Sequence, residues 1–166
     1  MKIGFNLLLW STHFVEDEFP ILETLKAVGY DGVEVPIFDT SDVGHFEKIG
    51  QACKDQGLKT TAVTVIPDHE HSPISADASA RQGALEHLQR VLDCAEAAGA
   101  ETLCGPYYQP LGEFTGDGAT EEELAFGAEV HREVAGYAEK AGVVLAIESL
   151  NRFEAYFLNT IEDAAA

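Results

Sequence analysis

Apolar residues along this chain follow two alternating patterns. Short runs of small and β-branched apolar residues, such as Val143 to Ile147, predict buried strands. Between these runs, apolar residues recur every three or four positions, which predicts helices with one buried face. The fourth helical pattern opens with a capping box, in which the side chains of Thr120 and Glu123 each accept a hydrogen bond from the other residue's backbone N–H. The predicted strands are 2–10, 31–35, 58–66, 101–104 and 143–147.

A glycine stands between each helical pattern and the strand pattern that follows it. These glycines are Gly29, Gly57, Gly99 and Gly142. A glycine at this place can adopt a left-handed backbone conformation and end the helix without steric cost. The chain therefore alternates strand and helix, which predicts parallel strands joined by right-handed crossovers.

Two α/β architectures have this alternation, an open doubly wound sheet and a (β/α)8 TIM barrel. No Gly-x-Gly-x-x-Gly follows the first strand, so the dinucleotide-binding form of the open sheet loses its main support. A full barrel takes about 31 residues per unit, and five units in 166 residues match that pace. We therefore expect residues 1–166 to form a single domain, the first five units of a barrel whose C-terminal units are missing. A complete, smaller open-sheet protein is the alternative.

Composition narrows the classes of partner. Hydrophobic residues make up 46% of the 166 residues, as in ordinary globular domains, and no apolar run is long enough to span a bilayer. The net charge of −19 should repel nucleic acid and anionic membranes, so we expect neither as a partner. Three separated cysteines and the lack of a leader pattern favour the reducing cytoplasm.

The predicted fifth strand ends on a carboxylate, Glu148, which is the strongest candidate for chemistry. A charge at the end of a buried strand is costly unless a metal ion, a cationic partner or a substrate neutralises it. Asn151, Arg152 and Glu154 follow within six residues. A structural ion pair between Glu148 and Arg152 explains the same residues equally well at this stage.

The run Glu148-Ser-Leu-Asn-Arg-Phe-Glu154, with Leu158-Asn-Thr160 after it, resembles the ketose 3-epimerases. These are the D-tagatose and D-psicose 3-epimerases of the xylose-isomerase-like TIM-barrel superfamily. Weaker similarity lies at Met1-Lys-x-Gly4, at Thr61-Ala62 and around Gly105. The resemblance implies a metal-dependent isomerase or epimerase acting on a small ketose or related keto sugar. The reaction removes a proton alpha to the carbonyl and passes through an enediolate.

The resemblance also implies roles for individual residues. Glu148 corresponds to a metal-binding glutamate that also acts as acid and base, and Glu154 to a glutamate that binds the O1–O2 end of the ketose. The family's remaining ligands, an Asp, a His and a second catalytic Glu, lie on later strands and are not in this chain. Oxygen ligands with one His suit Mn²⁺, Mg²⁺ or Co²⁺, with Zn²⁺ also acceptable. The other expected substrate-binding residues are Asn6, which stands where the family has a tyrosine, and Trp10, Gly105 and Tyr107.

Several alternatives stay open. The chain could belong to a hydroxypyruvate- or inosose-type enzyme of the same superfamily, or to a non-catalytic sugar-binding barrel. Tyr107 could equally be a core aromatic under a loop. His69 and His71 could form a metal pair or lie in a solvated loop. We expect the partner to be a small sugar, leave a homo-oligomer open, and expect this chain alone to be inactive.

Overall fold

The computed structural model describes residues 1–165, which form one parallel sheet with helices between its strands. The strands are β1 (Gly4–Asn6), β2 (Gly32–Pro36), β3 (Lys59–Val63), β4 (Ala100–Gly105) and β5 (Val144–Ile147). The helices are α1 (Pro20–Ala27), α2 (Val43–Asp55), α3 (Ala78–Ala97), α4 (Glu121–Ala141) and α5 (Ile161–Ala165). Short 3-10 helices lie at Leu7–Leu9, Glu16–Glu18 and His69–His71.

The strands pair in sequence order, β1-β2-β3-β4-β5, and every pair is parallel. This order confirms the predicted alternation of strand and helix. The four glycines between helix and strand all have positive φ, from 65° at Gly57 to 105° at Gly29. The capping box is also present, since the Thr120 hydroxyl accepts from the Glu123 N–H while the Glu123 carboxylate accepts from the Thr120 N–H.

The main core lies between one face of the sheet and the helices. Alternate side chains of β2, Val33 and Val35, pack there with Leu22 of α1, Ile49 of α2 and Leu92 of α3. Because side chains alternate across a strand, Glu34 points to the opposite face of the sheet. A smaller apolar cluster supports the loops after β4 and β5, and it contains Ile74, Tyr108, Ala155, Phe157 and Leu158.

Three strands differ from their prediction, and β3 ends at Val63 rather than Ile66. β1 stops at Asn6 rather than Trp10, because the Asn6 side chain accepts a hydrogen bond from the Leu8 N–H at 2.8 Å and caps a 3-10 helix. β5 was expected to be buried on both faces, yet Val144 is 63% exposed. Within the described residues, β5 pairs only with β4, so it is an edge strand and lacks cover on one side. Among residues 1–165, no helix is both long and apolar enough to span a membrane.

Candidate active site at the carboxyl ends of the strands

A row of polar side chains crosses the first three strands, at the carboxyl end of β1 and in the middle of β2 and β3. Asn6 of β1 is in register with Glu34 of β2, which is in register with Thr61 of β3. The Asn6 amide Nδ2 donates to the Glu34 carboxylate Oε1 at 2.8 Å. All three residues are half-buried, and Glu34 is the only residue of β2 that is not fully buried. The row therefore lines the face of the sheet that faces away from the helices.

Glu148 joins this row from the far side of the sheet. It follows β5, and its backbone N–H donates to the Gly105 carbonyl at 3.0 Å. Three strand spacings separate β2 from β5, or about 14 Å in a flat sheet. The charge of Glu148 nevertheless raises the pKa of Glu34. The two carboxyl groups therefore lie within electrostatic range of each other.

Cys104 lies on the same face. Burial raises the pKa of its thiol, and the charges of Glu34 and Glu148 raise it further. We call Asn6, Glu34, Thr61, Cys104 and Glu148 the mouth cluster; the first four share the face of the sheet turned away from the main core, and Glu148 follows the carboxyl end of β5. Active sites of parallel barrels form at this end.

The environment of the mouth cluster raises the pKa of Glu34 above its ordinary value. Burial is the largest cause of its raised pKa, the negative charge of Glu148 is the second, and the Thr61 side chain acts weakly in the opposite direction. Two carboxyl groups that repel each other at a concave surface attract a cation or hydrogen-bond donors from a ligand.

The alternative ion pair between Glu148 and Arg152 is not formed. In the described chain, residues 1–165, the ion pairs join Lys48 to Glu16, Lys59 to Glu101 and His71 to Asp68, and none involves Glu148. Both Glu148 and Arg152 are exposed. Glu148 is thus available to a ligand in this structure.

The mouth cluster contains donor groups of the kind that divalent metal ions prefer. Carboxylate oxygens such as those of Glu148 suit hard divalent ions. However, residues 1–165 contain no group of three or more His, Cys, Asp or Glu side chains arranged to hold a metal ion. The donor chemistry fits a divalent cation, but the number of donors is too small, so further ligands would have to come from outside these residues.

A clamp of buried polar groups fixes the loop 148–160, which carries Glu154. The Gln109 side chain, only 1% exposed, accepts from the backbone N–H groups of Tyr156 at 3.1 Å and Phe157 at 2.9 Å. From the other end of the loop, Asn159 donates to the carbonyls of Leu150 and Ala155. Glu154 itself is exposed and accepts from the Asn151 amide. The loop is thus anchored at its base while Glu154 stays open to solvent.

Tyr108 connects the clamp to the carboxylates. Its hydroxyl donates to the Leu158 carbonyl at 3.2 Å and accepts from the Leu150 N–H at 3.2 Å. Burial raises the pKa of Tyr108, and the charges of Glu148 and Glu154 raise it further. Both glutamates therefore lie within electrostatic range of the same buried phenol.

Gly105 and Trp10, two further expected site residues, lie in different surroundings. Gly105 ends β4 with φ of +130°, and a Cβ there would lie 2.1 Å from the Thr64 carbonyl oxygen, so only glycine fits. Trp10 is 55% exposed and stacks on Phe5 at 4.3 Å. Phe5 and Asn6 point to opposite faces of β1, so the Trp10 ring lies apart from the mouth cluster.

Tyr107 lies in the core instead of an open pocket. It is 0% exposed, and its hydroxyl donates to the Leu103 carbonyl at 3.4 Å. A fully buried ring has no open path to a ligand in this structure, and the sugar-binding role of Tyr107 stays an untested prediction. The core alternative for Tyr107 is the one that the structure supports.

Glu34 and Gln109 are the two residues of this region that sequence reasoning missed. A signal for Glu34 existed, since it is a lone charge between Val33 and Val35 in an otherwise apolar strand. Gln109 offered no comparable signal, because its partners Tyr156 and Phe157 are more than 45 residues away in sequence.

Comparison with known proteins agrees with this geometry. The ketose 3-epimerase of Arthrobacter globiformis is 30% identical over 170 residues, which cover all of this chain and 57% of that protein. The probable ketose 3-epimerase of Synechocystis sp. is 27% identical, over 97% of this chain and 55% of that protein. This chain thus spans little more than half the length of these relatives.

Solved structures and family models agree with each other on the fold. A D-allulose 3-epimerase from Methylomonas sp., crystallised in complex with D-allulose, superposes with a TM-score of 0.87. The two chains are 24% identical over 99% of this chain and 57% of the other. The superposition establishes that they share a fold. The family model described as xylose isomerase-like TIM barrel matches residues 22–166. The chain therefore belongs to the xylose isomerase-like TIM-barrel family.

Proposed function

We propose that this chain is part of a metal-dependent ketose epimerase, in which Glu148 binds the metal ion and exchanges a proton with the carbon next to the ketose carbonyl. The observation that carries the proposal is the position of Glu148, an exposed carboxylate just after β5 that makes no ion pair within residues 1–165 and lies within electrostatic range of Glu34. The names of the Arthrobacter and Synechocystis relatives, both ketose 3-epimerases, support the same reaction.

The chemistry requires a base at the sugar carbon and a second group on the opposite face. Glu148 would take the proton from C3, leaving an enediolate, and a second carboxylate would return a proton from the other side. A bound divalent ion would supply Lewis-acid stabilisation of the negative charge that develops on the sugar oxygens. Glu154, exposed on an anchored loop, would accept hydrogen bonds from the O1–O2 end of the sugar.

The complete site requires more residues than this chain contains. One metal-type carboxylate with a nearby Glu34 cannot hold a hard divalent ion tightly, since such ions take about six oxygen ligands. The matched relatives are nearly twice as long as the aligned region. We propose that the missing ligands and the second acid/base group lie in further βα units, and that residues 1–166 alone turn over no ketose.

The test is a turnover assay with the complete protein that contains this chain. Metal-free protein is supplied with Mn²⁺, Mg²⁺ or Co²⁺ and incubated with D-fructose, D-psicose, D-tagatose or L-ribulose, and the products are separated by chromatography. Glu148→Gln should lower turnover by at least about 10²-fold, the lower limit for loss of a general base. Its metal content, measured by mass spectrometry, should also fall.

Glu16→Gln is the matched control, since it removes one exposed surface carboxylate, which pairs with Lys48 of α2 and is not part of the mouth cluster. It should leave turnover unchanged. Near-normal turnover by Glu148→Gln would refute the proposed role. Turnover of hydroxypyruvate or an inosose, with none of any ketose, would assign the protein to a different reaction of the same family.

A further inference from the structure

The loop that carries Glu154 docks on the first two turns of α4. Glu123 and Gly127 are four positions apart and so lie on one face of that helix. The Tyr156 hydroxyl donates to the Glu123 carboxylate Oε1 at 2.5 Å. The Phe157 ring lies against Gly127, where an added Cβ would come within 3.4 Å of it. Two consecutive residues of the loop therefore contact the same face of α4.

Glu123 is fixed in place as the acceptor of the tyrosine hydroxyl. Its other oxygen, Oε2, accepts from the Thr120 N–H at 2.8 Å and from the Thr120 hydroxyl at 2.9 Å, as part of the capping box. Burial acts to raise the pKa of Glu123, but the hydrogen bonds from Tyr156 and Thr120 outweigh it, and the pKa is lowered. Glu123 is therefore ionised at neutral pH, and a hydrogen bond to an ionised acceptor is roughly twice as strong as one between neutral groups.

Packing leaves the Tyr156 ring open on one side. The ring is half-buried and borders a cavity of about 390 Å³ between the loops after β3 and β4 and the start of α4. Gln109 holds the Tyr156 backbone N–H at 3.1 Å, but this bond does not orient the side chain. The bond to Glu123 therefore fixes the ring on the side where no packed neighbour does.

The position of the Glu154 carboxylate depends on the backbone around it. Glu154 is exposed, and its carboxylate accepts from the amide of Asn151, which is exposed as well. The Glu154 carbonyl accepts from the Gly112 N–H at 2.9 Å. Further along, Tyr156 is the next residue whose side chain forms a hydrogen bond outside the loop. Without that bond, the stretch that carries Glu154 can shift toward the cavity.

We propose that Tyr156 is a positioning residue, which acts through its bond to Glu123 to hold Glu154 where it meets the ketose. The inference rests on the proposed function, because it assumes that Glu154 binds the O1–O2 end of the sugar. Hydrogen bonds weaken steeply as their angle and length depart from the optimum, so a displaced Glu154 binds the sugar less well. Glu148 is held separately, by its N–H bond to the Gly105 carbonyl. Loss of the tyrosine hydroxyl should therefore raise KM more than it lowers kcat.

The test is Tyr156→Phe in the complete metal-loaded protein, which removes one hydroxyl and keeps the ring. KM and kcat are measured by chromatography on the ketose that the parent protein turns over fastest. KM should rise about 3- to 10-fold, while kcat stays within about twofold of the parent value. Metal content, measured by mass spectrometry, should stay unchanged.

Tyr137→Phe is the matched control for loss of a bond between a tyrosine and a carboxylate. Tyr137 of α4 is also half-buried, and its hydroxyl donates to Asp93 of α3 at 2.6 Å. Each variant loses one such bond, so both should lower the urea midpoint of unfolding. Tyr137→Phe should nevertheless leave KM unchanged. A purely structural role for Tyr156 would lower stability in both variants and move KM in neither.

Two further variants show whether the effect passes through the named groups. Glu123→Gln keeps an oxygen for Tyr156 and for the capping box, so KM should rise by less than it does in Tyr156→Phe. In the background of Glu154→Gln, Tyr156→Phe should raise KM less than about twofold, because the group that it positions is already impaired.

Either of two results would overturn the inference and leave the proposed function standing. One is an unchanged KM in Tyr156→Phe while ketose turnover continues. The other is a rise in KM that is equally large with and without Glu154→Gln, since Tyr156 would then act on a different group. If the parent protein turns over no ketose, the proposed function fails, and the inference fails with it.

Discussion

Replacing Gln109 by leucine tests whether the clamp holds the loop after β5. Leucine has nearly the same size as glutamine but can neither accept nor donate a hydrogen bond. The substitution leaves the N–H groups of Tyr156 and Phe157 without their acceptor. It also removes the Nε2 donor from the carbonyls of Pro110 and Glu113, both at 3.2 Å.

The loss of stability depends on how well water can reach each backbone group that loses its partner. Phe157 is 7% exposed, so its N–H stays unsatisfied, and such a group costs about 1–3 kcal/mol. Tyr156 is half-buried, which places its N–H near the lower end of that range. The Glu113 carbonyl lies in an exposed segment and can bind water. The free energy of unfolding should therefore fall by about 2–4 kcal/mol.

The assay is urea unfolding followed by circular dichroism. For a slope of about 2 kcal/mol/M, the midpoint should fall by about 1–2 M. Gln82→Leu is the matched control, because Gln82 is exposed on α3 and bonds only to Glu86 on the next turn. It should change the free energy by less than about 0.5 kcal/mol. If Gln109→Leu unfolds within that same margin of the parent, the loop is not held by the clamp.

Three further predictions follow from named contacts. Gly105→Ala should destabilise the fold by at least about 3 kcal/mol in the same urea assay, because the new Cβ would meet the Thr64 carbonyl and φ is +130°, whereas Gly118→Ala, with open space around it, should be nearly neutral. Glu154→Gln in the complete protein should weaken ketose binding by about 1.5–3 kcal/mol in calorimetry, with metal content unchanged, and a loss of metal would instead make Glu154 a ligand. In metal-free buffer, Glu34→Gln should be more stable than the parent at pH 7. Burial and the charge of Glu148 raise the pKa of Glu34 in the folded protein, so the parent loses stability as pH rises through that pKa and Glu34 ionises. Below the ordinary glutamate pKa of about 4.3, Glu34 is protonated in both the folded and the unfolded chain, so the extra stability of Glu34→Gln should disappear. A gain that is the same at pH 4 and pH 7 would contradict this cause.

Local patterns were sufficient to predict the order of the elements. Gly57 and Gly142 end their helices with positive φ, and Thr120 caps α4, because each depends only on a few neighbouring residues. The alternation of the two apolar periods then implied the parallel order of the strands, which the sheet has. Glu148 was found in the same way, as a charge at the end of an apolar run.

What the sequence could not supply depends on contacts between distant residues. Tyr107 is an aromatic residue in a loop, and only tertiary packing decides that its ring joins the core. The exposure of Val144 follows from the edge position of β5, which a local apolar run does not reveal.

The polar surface of the candidate site also depends on contacts between distant residues. Asn6, Glu34 and Glu148 are spread over 143 positions of the sequence. Strand register sets Asn6 beside Glu34, and the parallel order of the strands places Asn6 and Glu148 at the same edge of the sheet. Hydrophobic periodicity determined which residues form strands and helices in this chain. Strand register and sheet curvature decided which polar groups meet, because these depend on how the whole sheet packs against its helices.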